Sequence, residues 1–209
     1  MVNLFQITSM TAFFMHFCKK ASLLLLLICA TTLAFTLAFA AGSSINIKSA
    51  ELQLQDDYYG LDADVDMSFD KEIEEAINKG VPLTFLIEFQ IVSPRKYWFD
   101  DEIVTATRTV SLSYHALSRQ YLVNRGGHQQ SFETISEAIE ELAELSDWKV
   151  VDKSLLEKPE MYKAALLIRL DQTKLPKAIQ VDTIASEKWN LTSQKFEWTL
   201  KEASGKVLK

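Results

Sequence analysis

The chain has 209 residues, 48% of them apolar and 24% charged, with only six glycines and four prolines. That composition excludes intrinsic disorder and a fibrous repeat, and the length suits one large domain or two small ones. Residues 1–41 hold no acidic residue and two lysines, Lys19 and Lys20; removing these from the 22 basic groups leaves 20 against 28 acidic ones, a formal −8 over the other 168 residues. A body this acidic lacks the cationic footprint that nucleic-acid binding needs.

The first 41 residues read as a targeting segment. Lys19-Lys20 precedes Ala21–Ala41, in which every residue is apolar or small, and Ala38-Phe39-Ala40 closes the run. A basic start, an apolar core and an A-x-A end are the parts of a secretory signal, here with cleavage expected after Ala40. Met15 offers a later start, with Met-His-Phe-Cys-Lys-Lys ahead of the run. The alternative is an uncleaved anchor, since about 20 apolar residues suffice to cross a bilayer core of ~30 Å, with Lys19 and Lys20 holding that end in the cytoplasm. Both readings place residues 42–209 on the far side of the inner membrane: periplasmic after cleavage, or anchored and facing the periplasm. Both cysteines, Cys18 and Cys29, fall inside this segment, so residues 42–209 have no internal disulfide, thiolate metal site or Cys nucleophile.

Further along, alternation dominates. Ile45, Ile47, Ala50, Leu52 and Leu54 mark a strand whose phase slips once, as a bulge requires. After a turn at Asp56-Asp57, Tyr59, Leu61, Ala63, Val65, Met67 and Phe69 keep a period of two, with polar or small residues between them, which gives a strand with one dry and one wet face. Asp70 opens a short helix carrying Ile73, Ala76 and Ile77, stopped by Gly80 and Pro82. Leu83 to Ile91 alternates again and ends at Pro94. Val104 to Tyr114 does the same, with Arg108 the one break in its apolar face. Gln120–Asn124 is a strand, followed by a Gly126-Gly127 turn. Thr134 and Glu137 have capping-box spacing before a stripe of Ile135, Ala138, Ile139, Leu142 and Leu145. Leu175-Pro176 opens a short helical turn. Tyr162–Leu170 and Phe196–Leu200 complete the strands. With no repeat and no linker, residues 42–209 are expected to form one β-rich α+β domain: an antiparallel meander or sandwich-like sheet with two amphipathic helices.

Motifs for chemistry fail one by one. Asp62-x-Asp64-x-Asp66 has the opening spacing of an EF-hand, but Met67 stands where Gly is required and Ile73 where the bidentate Glu belongs; a solvated face is the expectation. Asp100-Asp101-Glu102 follows the aromatic Tyr97-Trp98-Phe99, and a paired-carboxylate hydrolase would need two such acids across a cleft. His115 and His128, the two histidines after residue 41, sit in no metal-binding spacing and read as exposed. No nucleophile elbow or phosphate cradle exists. Asn190-Leu191-Thr192 fits the glycosylation pattern, which arises often by chance. Trp189, Leu191, Phe196 and Trp198 read as a core strand with flanking aromatics. No catalytic, cofactor-binding or metal residue is assigned, and no cofactor is expected.

Three segments in order carry a resemblance: Leu112-Ser113-Tyr114-His115-Ala116-Leu117-Ser118-Arg119-Gln120-Tyr121; Leu175-Pro176-Lys177 leading to Ile179-Gln180-Val181; and Trp189-x-Leu191-x-Ser193 with Trp198. Together they resemble the exported proteobacterial family called domain of unknown function 4390, over roughly residues 45–201. The resemblance implies export in a Gram-negative cell and supplies no catalytic residues. Genes of such proteins often lie near a membrane sensor kinase of the nitrogen-regulation type, so it also implies a signalling accessory. The expectation is a non-enzymatic exported domain binding a protein or envelope component, with sheet edges free to accept an added strand. It touches the inner membrane only if the N-terminal helix is retained. The alternatives are an envelope-polymer hydrolase using acidic residues and an anchored structural protein.

Overall fold

The computed structural model describes residues 42–97, 99–156, 161–183, 187–200, 202–203 and 207–208. The signal or anchor assigned to residues 1–41 lies outside the described residues. The chain divides between Ala41 and Gly42, and all the described residues belong to the second unit.

The strands are β1 (Ser44–Leu54), β2 (Tyr58–Ser68), β3 (Leu83–Ser93), β4 (Asp101–His115), β5 (Gln120–Arg125), β6 (His128–Phe132), β7 (Leu145–Asp152), β8 (Tyr162–Leu170), β9 (Phe196–Leu200), and the two-residue β10 (Glu202–Ala203) and β11 (Val207–Leu208). Helices α1 (Lys71–Asn78), α2 (Ile135–Ala143) and α3 (Lys177–Thr183) interrupt them. One sheet runs β10-β11-β1-β2-β7 and the other β6-β5-β4-β3-β8-β9, and every pairing is antiparallel. The protein is therefore a β-rich α+β fold of two antiparallel sheets, as its alternation predicts.

One core spans both sheets. Leu52, Leu61, Leu83, Phe89, Ile91, Leu112 and Leu166 are fully buried in it. Phe89 of β3 lies at its centre, with ring centroids 6.5 Å from Trp148 of β7 in the first sheet and 6.1 Å from Trp198 of β9 in its own. Phe69, just past β2, stacks on Phe85 at 5.8 Å, so the end of β2 and the start of β3 share one end of the sandwich.

Local chemistry explains the boundaries. The slip expected in β1 is a register shift between Ile47 and Ser49. Asp70 caps α1, its Oδ1 accepting from the Ile73 N–H at 3.0 Å, and Gly80 follows at φ 89°. The Gly126-Gly127 turn has φ 58° and 93°, left-handed values that glycine adopts without strain. Thr134 Oγ1 accepts from the Glu137 N–H at 3.3 Å, which opens α2.

The helix ends sooner than its apolar stripe. Ala143 is its last residue, Glu144 has extended backbone (φ −66°, ψ 122°), and Leu145 belongs to β7 rather than to the helical face. A third helix, α3, follows Pro176 where only a short turn is read from sequence. β6 and β7 are not predicted either. β7 carries Asp147 at φ 43° and two register shifts against β2, and this distortion buries both Val150 and Val151. Gly60 of β2 accommodates the bulge, because a Cβ there would lie 2.7 Å from Asp147 Oδ1.

Candidate functional site

The residues singled out in the sequence scatter. β4 is 15 residues long and extended, so His115 lies ~46 Å of strand from Asp101. The acidic loop and His115 therefore lie at opposite ends of one strand and are not brought together. His115 is engaged in its own turn, where its Nδ1 lies 2.9 Å from Ser118 Oγ and 3.4 Å from Ser118 N. His128 opens β6 at the other end of β5, ~16 Å of strand from His115's partner Gln120. Among the described residues no group of three or more His, Cys, Asp or Glu is placed to hold a metal ion, and none of their helices is long and apolar enough to cross a membrane.

The acidic loop meets a second carboxylate at a small cavity of about 180 Å³ on the outer face of the second sheet. Asp100 and Glu197 line it together with Lys163 and Lys195. A general acid needs a carboxyl whose pKa is raised. Glu197 goes the other way: Lys195 Nζ lies 2.6 Å from its Oε1, and that hydrogen-bonded cation, helped by Lys163, holds the carboxyl below its ordinary range. Glu88, also on this face, is paired with Arg169 at 2.9 Å.

The Asp62, Asp64 and Asp66 row takes on local work. Asp62 Oδ1 accepts from the Asp147 N–H at 2.7 Å, anchoring the bulge in β7, and Asp66 meets Lys48 at 3.6 Å with both side chains largely exposed. The expected solvated face is present, and the EF-hand geometry is not.

The aromatic C-terminal motif is scaffold. Trp189 and Leu191 are buried. Ser193 clasps β8, its N–H donating to Ile168 O at 2.8 Å and its Oγ accepting from Ile168 N at 3.0 Å. The Leu112–Tyr121 motif is the β4–β5 hairpin, in which Tyr114 packs on Tyr121 at 5.0 Å and Tyr121 Oη donates to Asn78 Oδ1 of α1 at 2.6 Å. Arg108, the break in the apolar face of β4, is half-buried with its guanidinium 6.0 Å from the centre of the Trp148 ring. Desolvation, and then the neighbouring Arg125, lower its pKa.

What remains is the loop joining β3 to β4. Tyr97 and Phe99 are 85% and 88% exposed, two large apolar side chains placed close together in water at one loop. The loop is pinned at its base. The Arg95 guanidinium pairs with the Asp101 carboxylate, and the Arg95 N–H donates to Asp100 Oδ1 at 3.2 Å. Lys96 Nζ lies 5.5 Å from the centre of the Tyr97 ring. Met161, 66% exposed, precedes β8 at the same end of the sheet, since Lys163 pairs with Val92 near the end of β3. The aromatic run is visible in sequence; the exposure of Tyr97 and Phe99 and the Arg95 clasp at the base of their loop are not.

These observations define a two-sheet domain with an aromatic-tipped hairpin and a structural, rather than chemical, use of its recognisable motifs. The family described as "Domain of unknown function (DUF4390)" matches residues 42–199. The chain belongs to that family. No curated protein and no solved structure matches it.

Proposed function

We propose that the protein is an exported, non-enzymatic binding or accessory domain that docks a protein or envelope component through the tip of its β3–β4 hairpin. The observation that carries this reading is the pair of exposed rings, Tyr97 and Phe99, on a loop held by Arg95, Asp100 and Asp101. Aromatic side chains on a pre-organised loop lose little conformational entropy on binding and are the usual energetic anchors of interfaces. The leader-like residues 1–41 support export, and the resemblance to sensor-kinase-linked proteins supports a signalling partner at the inner membrane.

A photo-crosslinking aromatic amino acid placed at Tyr97 or Phe99 tests the reading in the native host. The expected result is a discrete adduct whose partner is then identified by mass spectrometry, and its loss in a Y97S/F99S chain labelled at Met161. If the tip gives no adduct beyond that of a label at Thr107, on the outer face of β4, docking through the tip is wrong. The intact mass of the envelope-associated chain tests export separately: loss of residues 1–40 is expected, and recovery of the unprocessed chain from the cytosol would overturn it.

A further inference from the structure

The small cavity on the second sheet has a local cause. β3, β8 and β9 lie side by side there, and Ala165 of β8 stands between its two cross-strand partners, Gln90 of β3 and Glu197 of β9. A methyl group between two long side chains leaves a dip in the sheet face. Lys163, two residues earlier in β8 and so on the same face, stands beside Val92 and closes one end. Asp100 and Lys195 complete the wall of a hollow of about 180 Å³.

Two carboxylates, Asp100 and Glu197, share this lining with two ammonium groups, Lys163 and Lys195. The hollow therefore has no net formal charge, in a domain that carries −8. Without a field of one sign, neither an anion nor a cation is drawn in. The ammonium groups donate hydrogen bonds, the carboxylates accept them and the Gln90 amide does both, which suits hydroxyl groups that also do both. Val92 and two alanines are the whole of its apolar lining, too little to seat the large anchor of a protein interface. Asp100 joins the hollow to the hairpin tip. Phe99 is its neighbour in the chain, with Cα atoms about 3.8 Å apart, and is 88% exposed. An uncovered ring presents a negative face to the C–H side of a sugar.

We infer that the hollow takes one uncharged sugar unit of a linear glycan whose next units stack on Phe99 and Tyr97. This rests on the reading of the hairpin tip as a docking surface and names the chemical class of its ligand. The hydroxyl groups of the seated unit exchange hydrogen bonds with Gln90, Lys163, Asp100 and Glu197, and its ring lies over Ala165.

The test titrates the full chain, in a polyoxyethylene detergent free of sugar, with hexamers of β-1,4-linked N-acetylglucosamine, β-1,4-linked glucose and α-1,4-linked glucose, and with an anionic galacturonic acid hexamer. Binding is read by calorimetry and by amide chemical shifts. At least one uncharged hexamer is expected to bind, to shift Gln90, Ala165 and Phe99, and to bind more tightly than the galacturonate. Ala165 is only half-buried, on the outer face of β8. Ala165→Gln fills the dip from the water side and is expected to weaken binding about tenfold, as is Y97S/F99S, the effect of losing a central contact. Ala165→Ser leaves the dip open and is expected to bind like the parent. If no uncharged hexamer binds at millimolar concentration, the glycan is overturned; a protein adduct at the tip would then leave the docking reading standing, and the absence of both would overturn the two together. Tighter binding of the galacturonate would overturn the charge argument. Unchanged binding by Ala165→Gln would overturn the hollow as the seat, and unchanged binding by Y97S/F99S would overturn its continuity with the tip.

Discussion

Glu197 and Lys195 stand two residues apart at the edge of the second sheet and show how this surface treats charge. The lysine ammonium, 2.6 Å from the carboxylate, stabilises its ionised form and so lowers its pKa, with Lys163 adding to the effect. Because the folded value lies below the unfolded one, the pair contributes to stability above the ordinary glutamate range and loses that contribution as pH falls through the folded value. Both side chains are more than half exposed, so the gain is small and salt-screened; the titration itself is the sensitive readout. A carboxyl-detected NMR titration should give Glu197 a midpoint below that of an unpaired surface glutamate, and Lys195→Met should move it upward. An unmoved midpoint in that variant would mean the contact does not persist in solution.

At the scale of elements, legibility in sequence follows burial. β1, β2, β3, β8 and β9 each put one face into the core, so their apolar residues alternate and their positions can be read directly. In β6 the first four residues are exposed and Phe132 is only half-buried, so no hydrophobic pattern exists to be seen. β7 has the core residues, but the left-handed Asp147 and the bulges against β2 destroy their period. Leu145 shows the same competition: its spacing from Leu142 fits a helix, yet it is needed as the first rung beside Ala63. α2, by contrast, is announced by its cap. Thr134→Ala removes the acceptor for the Glu137 N–H and should cost about 1 kcal/mol in chemical denaturation, with Thr134→Ser close to neutral. If the Ala variant melts like the parent, the helix start is fixed by packing of Ala138 and Leu142 instead.

For the molecule as a whole, sequence reaches local features and misses those made by distant pairing. The aromatic run at residues 97–99 is local and visible; the end of the β2–β7 ladder at Ala63 is not, because β7 lies some 80 residues away in the chain. The core is a single network. Trp198 packs on Phe89 from within one sheet, and Phe89 meets Trp148 of the other, so loosening one sheet loosens the next. Trp198→Ala should therefore destabilise the protein by ~3–5 kcal/mol, the range for buried aromatic truncation. The lower end is expected, because Trp198 is only half-buried and its indole N–H is buried without a hydrogen-bond partner among the described residues, a group whose removal recovers a desolvation cost. Far-UV circular dichroism and tryptophan fluorescence should still trace coincident denaturation curves, as a domain with one core requires. Separate transitions would show that the sheets unfold independently, and an unchanged midpoint would place Trp198 outside the core.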